Sequence, residues 1–309
     1  MEKISSINIK YTSQQSYIKL ILVTIFFASN FIIARVSSAV LSPVTSSALR
    51  FTIASIFLII IVFQKYRKFP KITFHQLKII IFLGIVGIAG DSIFFFSGLK
   101  YTSASKASII VALNPIFIAI FSNIFFNEKL SISKLTGIFI SLIGAIVVIS
   151  NGAVLSVFRG NISIGELYIL GAVFCWVFFT LLGKSVSEKL DSIIILCYSS
   201  IVGSIILTGI GIHQHSFVDL KNMTLWIMLG SLSIGTLGTA ISYKFYYEAV
   251  YSIGASRSGI FLNMVPVFAT IGGILILKES PTLSFFIGAL MVLTGVYITN
   301  YQKIKNKIS

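Results

Sequence analysis

The sequence predicts an all-α integral membrane protein of ten transmembrane helices, built as two inverted five-helix repeats (5+5). Three observations predict it. Hydrophobic residues make up 56% of the 309 positions and charged ones only 11%, with a mean hydropathy of +0.98. A soluble domain of this length needs far more charged surface. The chain also matches itself: residues 84–150 align with residues 235–301 at a fixed offset of 151, without a gap. Fifteen positions are identical, among them Gly84/Gly235, Gly87/Gly238, Pro115/Pro266, Glu128/Glu279, Gly137/Gly288 and Gly144/Gly295. Shared apolar composition supplies matched Ile and Phe easily, but not Pro, Glu and Gly in register. Finally, Lys and Arg crowd alternate loops, as they do in multi-pass membrane proteins.

Ten apolar runs are long enough to cross a bilayer, about 20 residues each. They fall near 17–38, 43–64, 76–99, 104–126, 132–150, 165–186, 191–212, 224–248, 255–277 and 281–301. The first is too long for a signal peptide and leads straight into further spans, so it is expected to be retained. The longest connections, about 66–75, 151–164 and 213–223, are too short to hold a soluble catalytic domain. With the N-terminus in the cytoplasm and the spans alternating, seventeen Lys and Arg fall inside and six outside, with Arg50 inside a span. That bias places both termini in the cytoplasm. Five spans per repeat is an odd number, so the halves face opposite ways: Glu128 falls on the inner side and Glu279 on the outer. Inverted repeats of this kind support alternating access around a site near the bilayer midplane.

The same composition excludes other classes. The net charge of +15 is scattered between apolar runs, so it sets orientation and does not point to nucleic acid. Cys175 and Cys197 sit in apolar segments without CxxC spacing, which indicates neither a disulfide framework nor a metal site. His213 and His215 lack a carboxylate or Cys partner at ligand spacing. Gly183-Lys184-Ser185 imitates the end of a phosphate loop, but Phe178 stands where its first glycine is required. Asn161-Ile162-Ser163 and Asn222-Met223-Thr224 match the glycosylation pattern, which is frequent by chance. No Ser-His-Asp arrangement can be argued, and no cofactor is expected.

Polar residues inside the spans carry whatever chemistry exists, because a charge at a helix centre costs about 2.5–3.5 kcal/mol to insert. Arg50 in span 2 and Asp91 in span 3 both lie roughly 10–12 Å below the outer boundary at 1.5 Å per residue. Equal depth on consecutive antiparallel helices points to a direct ion pair, either structural or one that opens to a substrate or proton. Asn30 sits mid-span in helix 1, with Phe179 as its counterpart in the second half. Its amide can read a polar substrate or join two helices. Asn114 and Asn263 lie near the midplane beside Pro115 and Pro266, where a missing backbone donor frees a carbonyl and creates a hinge. In span 8, Tyr243 is the deepest of three tyrosines and the best site candidate. Lys244 and Glu248, four residues apart, can pair as an interfacial anchor or an inner gate. Trp176 lies mid-span on helix 6, away from the interfacial belt, which favours a cavity wall or core position. The glycine pairs Gly137/Gly144 and Gly288/Gly295 recur every seven residues, as scaffold contacts or as a homodimer face.

These residues resemble the EamA type of the drug/metabolite transporter superfamily. The resemblance rests on Phe27-Ala28-Ser29-Asn30-Phe31, Leu49-Arg50-Phe51, Ala104-Ser105-Lys106-Ala107-Ser108, Asn114-Pro115 and Asn127-Glu128-Lys129-Leu130-Ser131. In the second half it rests on Phe174-Cys175-Trp176, Ala255-Ser256-Arg257-Ser258, Val265-Pro266 and Lys278-Glu279-Ser280. It covers two EamA-like units, 19–150 and 165–300, with 1–16 and 302–309 as cytoplasmic termini. It implies ten helices in the cell (inner) membrane and a central cavity lined mainly by helices 1, 3, 4, 6, 8 and 9. It also implies movement of small metabolites, often as export, with amino acids and related amphipathic compounds as the leading class. Asp91 departs from the small or apolar residue expected at its position. A nucleotide-linked or phosphorylated metabolite carried by the same fold is the alternative. A lipid-modifying membrane enzyme is a weaker one, since no cluster of His, Asp or Ser sits at one interface.

Overall fold

The computed structural model describes residues 13–37, 40–102, 104–150, 152–153, 163–187, 190–277 and 282–308, and it is helical with no strand among them. Outside the described residues lie Glu279, Lys278, Arg159 and Asn161, most of the N-terminal tail, and the side chains of Arg35, Lys100, Ser105 and Lys106. Helix α1 runs Ser13–Ser37 and α2 runs Pro43–Tyr66. The start of α2 is set locally: Pro43 takes the first turn, and the Ser42 hydroxyl accepts the Thr45 N–H at 3.3 Å. Proline is at no disadvantage there, since a first-turn N–H has no helical partner. Helix α3 covers 74–101. A capping box between Thr73 and Gln76 opens it, and a π-helical stretch, Leu83–Gly90, interrupts it before Asp91–Tyr101.

Helix α4 covers 104–126 in two pieces, Ala104–Val111 and Asn114–Phe126. Then follow α5 (Ile132–Ile149), α6 (Ile164–Ser187), α7 (Ser192–His213) and a short 3-10 turn, Ser216–Asn222. Helix α8 covers 225–253 and carries its own π-helical stretch, Thr236–Ile241. Helix α9 covers 255–277 and tightens to 3-10 geometry over Ile260–Met264. Helix α10 is Leu283–Ile308. Among the described residues, nine helices are long and apolar enough to cross a membrane. Their outward faces fit that role. Ile132, Leu275, Leu283 and Leu290 are each more than 65% exposed, a pattern that a lipid surface makes favourable.

The internal repeat is visible in the distortions of the helices. The two π-helical stretches occupy matched positions in α3 and α8. The breaks in α4 and α9 stand immediately before Asn114-Pro115 and Val265-Pro266, matched again. Proline explains the breaks, because its ring clashes with the preceding turn and it donates no hydrogen bond. The glycine pairs hold α5 against α10 within the chain: a Cβ on Gly144 would lie 2.7 Å from the Gly288 carbonyl oxygen, and one on Gly137 would lie 2.6 Å from that of Gly295. Of the two readings of these glycines, the scaffold contact is the one the structure uses. The chain's own helix covers the glycine face.

Candidate substrate-binding site

The π-helical stretch of α8 brings a polar cluster together around Arg50. The guanidinium donates from Nε to the Thr239 hydroxyl at 2.7 Å and from a terminal nitrogen to the Tyr243 hydroxyl at 3.1 Å. It also lies over two rings, 5.0 Å from the centre of Phe51 and 5.8 Å from that of Tyr243. Thr239 and Tyr243 are one turn apart, so one helix face presents both acceptors. Thr239 and Ser242 each return a hydroxyl bond to the carbonyl five residues back, Ile234 and Leu237. Those bonds fit the wider i→i+5 turn, and such bulges are frequent at functional sites.

Beneath Arg50 stands a wall of aromatic rings. Tyr243, 4% exposed, meets Phe27 at 5.9 Å, Trp176 at 5.3 Å, Phe179 at 5.5 Å and Phe51 at 6.4 Å between ring centres. Most of these contacts are edge-on or tilted, the geometry the ring quadrupoles prefer. Trp176 is 8% exposed, a wall position away from lipid. Asn30 is at the same level and donates its amide to the Gly238 carbonyl at 3.0 Å.

Asp91 begins the α-helical turn that follows the π stretch of α3. It is half-buried and within electrostatic reach of Arg50, Tyr243 and Cys175. The direct ion pair expected with Arg50 does not form: no N···O approach within 4.0 Å joins them, and the Asp91 carboxylate has no hydrogen-bond partner among the described residues. The reason is competition, since Thr239 and Tyr243 hold the guanidinium on the α8 side. The two asparagines beside the hinge prolines are placed differently. Asn263 donates to the Ser141 hydroxyl at 3.1 Å, which ties α9 to α5. Asn114 is buried with its side-chain oxygen unpartnered and is not part of the Arg50 hydrogen-bond set.

A second polar constellation closes one end of the bundle. The Glu128 carboxylate, in the α4–α5 loop, accepts from Lys184 Nζ of α6 at 2.6 Å. It also accepts from the N–H groups of Ala255 and Ser256 at 3.0 and 3.3 Å, and from the Ser256 hydroxyl at 2.9 Å. Gly254 makes this approach feasible. Its φ of +97° favours glycine, and a Cβ there would sit 3.0 Å from the carboxylate. Burial pushes the Glu128 carboxyl up, but the Lys184 ammonium and the Ala255 and Ser256 donors outweigh it and hold the pKa at about 2. Glu248 of α8 binds Lys19 of α1 at 2.6 Å and Lys244 at 3.4 Å. The Lys244–Glu248 pair expected from spacing therefore forms, but its shorter partner comes from α1.

Thr239, Phe27, Phe51 and Phe179 were not among the candidates read from the sequence, nor was the Glu128–Lys184 bond. Thr239 carried a signal, one turn before Tyr243 in a tract matched to Ile88. Single phenylalanines among 27 carry none.

Comparison with known proteins fits this picture. The EamA-like transporter family matches residues 14–150 and 163–301, and the chain belongs to that family, within the drug/metabolite transporter superfamily. It is a multi-pass membrane protein and a transporter by family. It is 30% identical over 282 residues to YyaM of Bacillus subtilis (strain 168), named as an uncharacterized transporter, covering 91% of this chain and 92% of that one. An uncharacterized transporter of Archaeoglobus fulgidus is 30% identical over 289 residues, with 92% and 98% covered. A solved crystal structure superposes with a TM-score of 0.75 over 94% of this chain and 99% of its own, at 15% identity; that likeness is one of fold.

Proposed function

We propose that the protein is a secondary transporter that exports small zwitterionic metabolites, amino acids or related amphipathic compounds, across the cell (inner) membrane. The observation that carries the reading is the pair of opposite charges that stay apart at one level: Arg50, directed by Thr239 and Tyr243, and Asp91 with no partner. A substrate carboxylate would take the guanidinium, and its ammonium would take Asp91. Its apolar part would lie against Trp176, Tyr243 and Phe27. Arg50 is the one cation in this cluster among the described residues, which disfavours a doubly charged phosphate or nucleotide-linked substrate.

The cycle proposed is alternating access between two inverted five-helix units, with α1 as the tenth span and both termini cytoplasmic. The matched π stretches and proline breaks support it, because both units bend at equivalent places. On this reading the Glu128–Lys184 and Glu248–Lys19 bonds are closed inner gates, and Pro115 and Pro266 are the hinges. The test is untargeted metabolite profiling of cytosol and medium from cells expressing the protein or Arg50→Ala. Export predicts amine-bearing acids that gather in the medium only with the intact protein. Equal profiles from both strains would refute it.

A further inference from the structure

A basic recess lies outside the candidate substrate site, at the end of the bundle closed by Glu128. It has a volume of about 460 Å³ and is lined by Glu128, Lys129, Ser131, Lys134, Gly254 and Arg257, together with Ile253. Three lining cations face one anion, and that anion is already satisfied. Glu128 accepts from Lys184, Ala255 and Ser256, so the start of α9 is occupied as well. Arg257 is different: its Nε is buried and has no hydrogen-bond partner. A buried guanidinium N–H left unmade is costly, and in native proteins it usually marks a missing acceptor. Lys134 donates one of its three N–H bonds to the Lys129 carbonyl oxygen at 2.8 Å and keeps two in reserve. Lys129 is exposed.

The surroundings say what kind of anion fits. The loop that lines the recess is bounded by Ile124 and Phe125 on one side, 61% and 60% exposed, and by Ile132 on the other, 82% exposed. These side chains belong in hydrocarbon, so the recess opens at the junction of headgroups and acyl chains. Basic pockets between transmembrane helices at that depth recognise anionic headgroups. We propose that this recess binds the phosphate group of an anionic phospholipid. Arg257 and Lys134 grip its oxygens, Lys129 supplies a further charge, the Ser131 hydroxyl donates at the rim, and the acyl chains lie against α4 and α5. The bound lipid would brace the α4–α5 loop that carries Glu128, next to the start of α9.

The experiment is native mass spectrometry of the full-length protein, delipidated in detergent. It is titrated in parallel with phosphatidylglycerol, phosphatidylcholine and inorganic phosphate. One phosphatidylglycerol should be retained where phosphatidylcholine is not. Removing charge should weaken it roughly fivefold per cation, so about 25-fold in Lys134→Gln/Arg257→Gln. Lys134→Gln alone should show the smaller loss if the double variant folds poorly, and Lys71→Gln, outside the recess, should match the wild type. Competition by inorganic phosphate would support the phosphate contact. Inorganic phosphate bound without phosphatidylglycerol would assign the recess to a soluble phosphate compound and overturn the lipid. Equal retention of both lipids, or unchanged affinity in the variants, would overturn the site itself.

Discussion

The side-chain amide of Asn30 on α1 donates to the carbonyl oxygen of Gly238, 3.0 Å away in the π-helical stretch of α8. Phe179 on α6 packs on Gly87, the residue matched to Gly238, in the π-helical stretch of α3. Each half thus lays one residue of its first helix on a glycine of the other half's third helix, once with a polar contact and once with an apolar one. The polar copy lies in the same stretch as Thr239, which holds Arg50.

Gly238→Ala tests that contact. The added Cβ would collide with the Asn30 amide, and overpacking of this kind costs about 1–3 kcal/mol. The thermal midpoint in detergent should fall for Gly238→Ala and recover in large part in Asn30→Ala/Gly238→Ala. Losses that simply add in the double variant would show that the two residues are not coupled.

Arg50→Lys separates charge from geometry. Lysine keeps the charge but has no planar fork to reach Thr239 and Tyr243 together. With a substrate identified by profiling, transport in liposomes should fall at least tenfold on the scale of one charged hydrogen bond, about 1.5–3 kcal/mol. Tyr243→Phe removes only the hydroxyl acceptor and should raise KM by roughly fivefold, the value of one ordinary hydrogen bond. Wild-type kinetics in Arg50→Lys would mean the guanidinium is structural.

The Glu128–Lys184 pair carries a pH signature. Its pKa is held at about 2 against an ordinary 4.5, so the unfolded chain binds the proton more readily than the folded one. The stabilisation is complete above pH 4.5 and is lost as the pH falls towards 2. Removing one partner of a buried pair costs up to about 3–5 kcal/mol. Glu128→Gln should lower the thermal midpoint at pH 7 and flatten its decline between pH 4.5 and 2. Lys184→Met should lower the midpoint at pH 7 too. If Glu128→Gln kept the full acid dependence, other carboxylates would be responsible; Asp191 is one, since Lys65 and the Ile193 N–H hold it low against its burial.

Much of this arrangement was legible in the sequence, and for physical reasons. Hydrophobic runs and the self-match report on insertion energy and on an internal repeat, and both act on long tracts. Pro115 and Pro266 announced the helix breaks because a missing N–H is a local property. Arg50 drew notice because a charge at depth is costly, Trp176 because it lies away from the interface and Tyr243 because it lies deepest of three, and the structure brings the three side chains together. The expected Arg50–Asp91 bond failed because depth fixes how far along a helix a residue lies, but not its azimuth or its competitors. Thr239 and Tyr243 are such competitors, and a π stretch that turns them toward Arg50 leaves little trace in residue types. Glu128 was visible as a matched residue, yet the three residues that donate to its carboxylate come from two later helices that no spacing rule connects.

Asp91 tests the mechanism most directly. An unpaired carboxylate in a span is costly to bury, and a group that only braced the fold would be expected to hold a partner. As the ammonium receptor, Asp91 serves by its charge; as a proton carrier, it serves by losing and regaining that charge. Asp91→Asn keeps the shape, removes the charge and cannot titrate. The folded state should survive, since no described bond is lost. Transport of a zwitterion should drop at least tenfold, and any dependence of the remaining flux on pH should vanish. Loss of rate with the pH profile intact would leave Asp91 as a receptor only and move the proton step elsewhere. Flux equal to wild type at every pH would remove Asp91 from the mechanism and leave Arg50 and the aromatic wall to recognise a simple carboxylate.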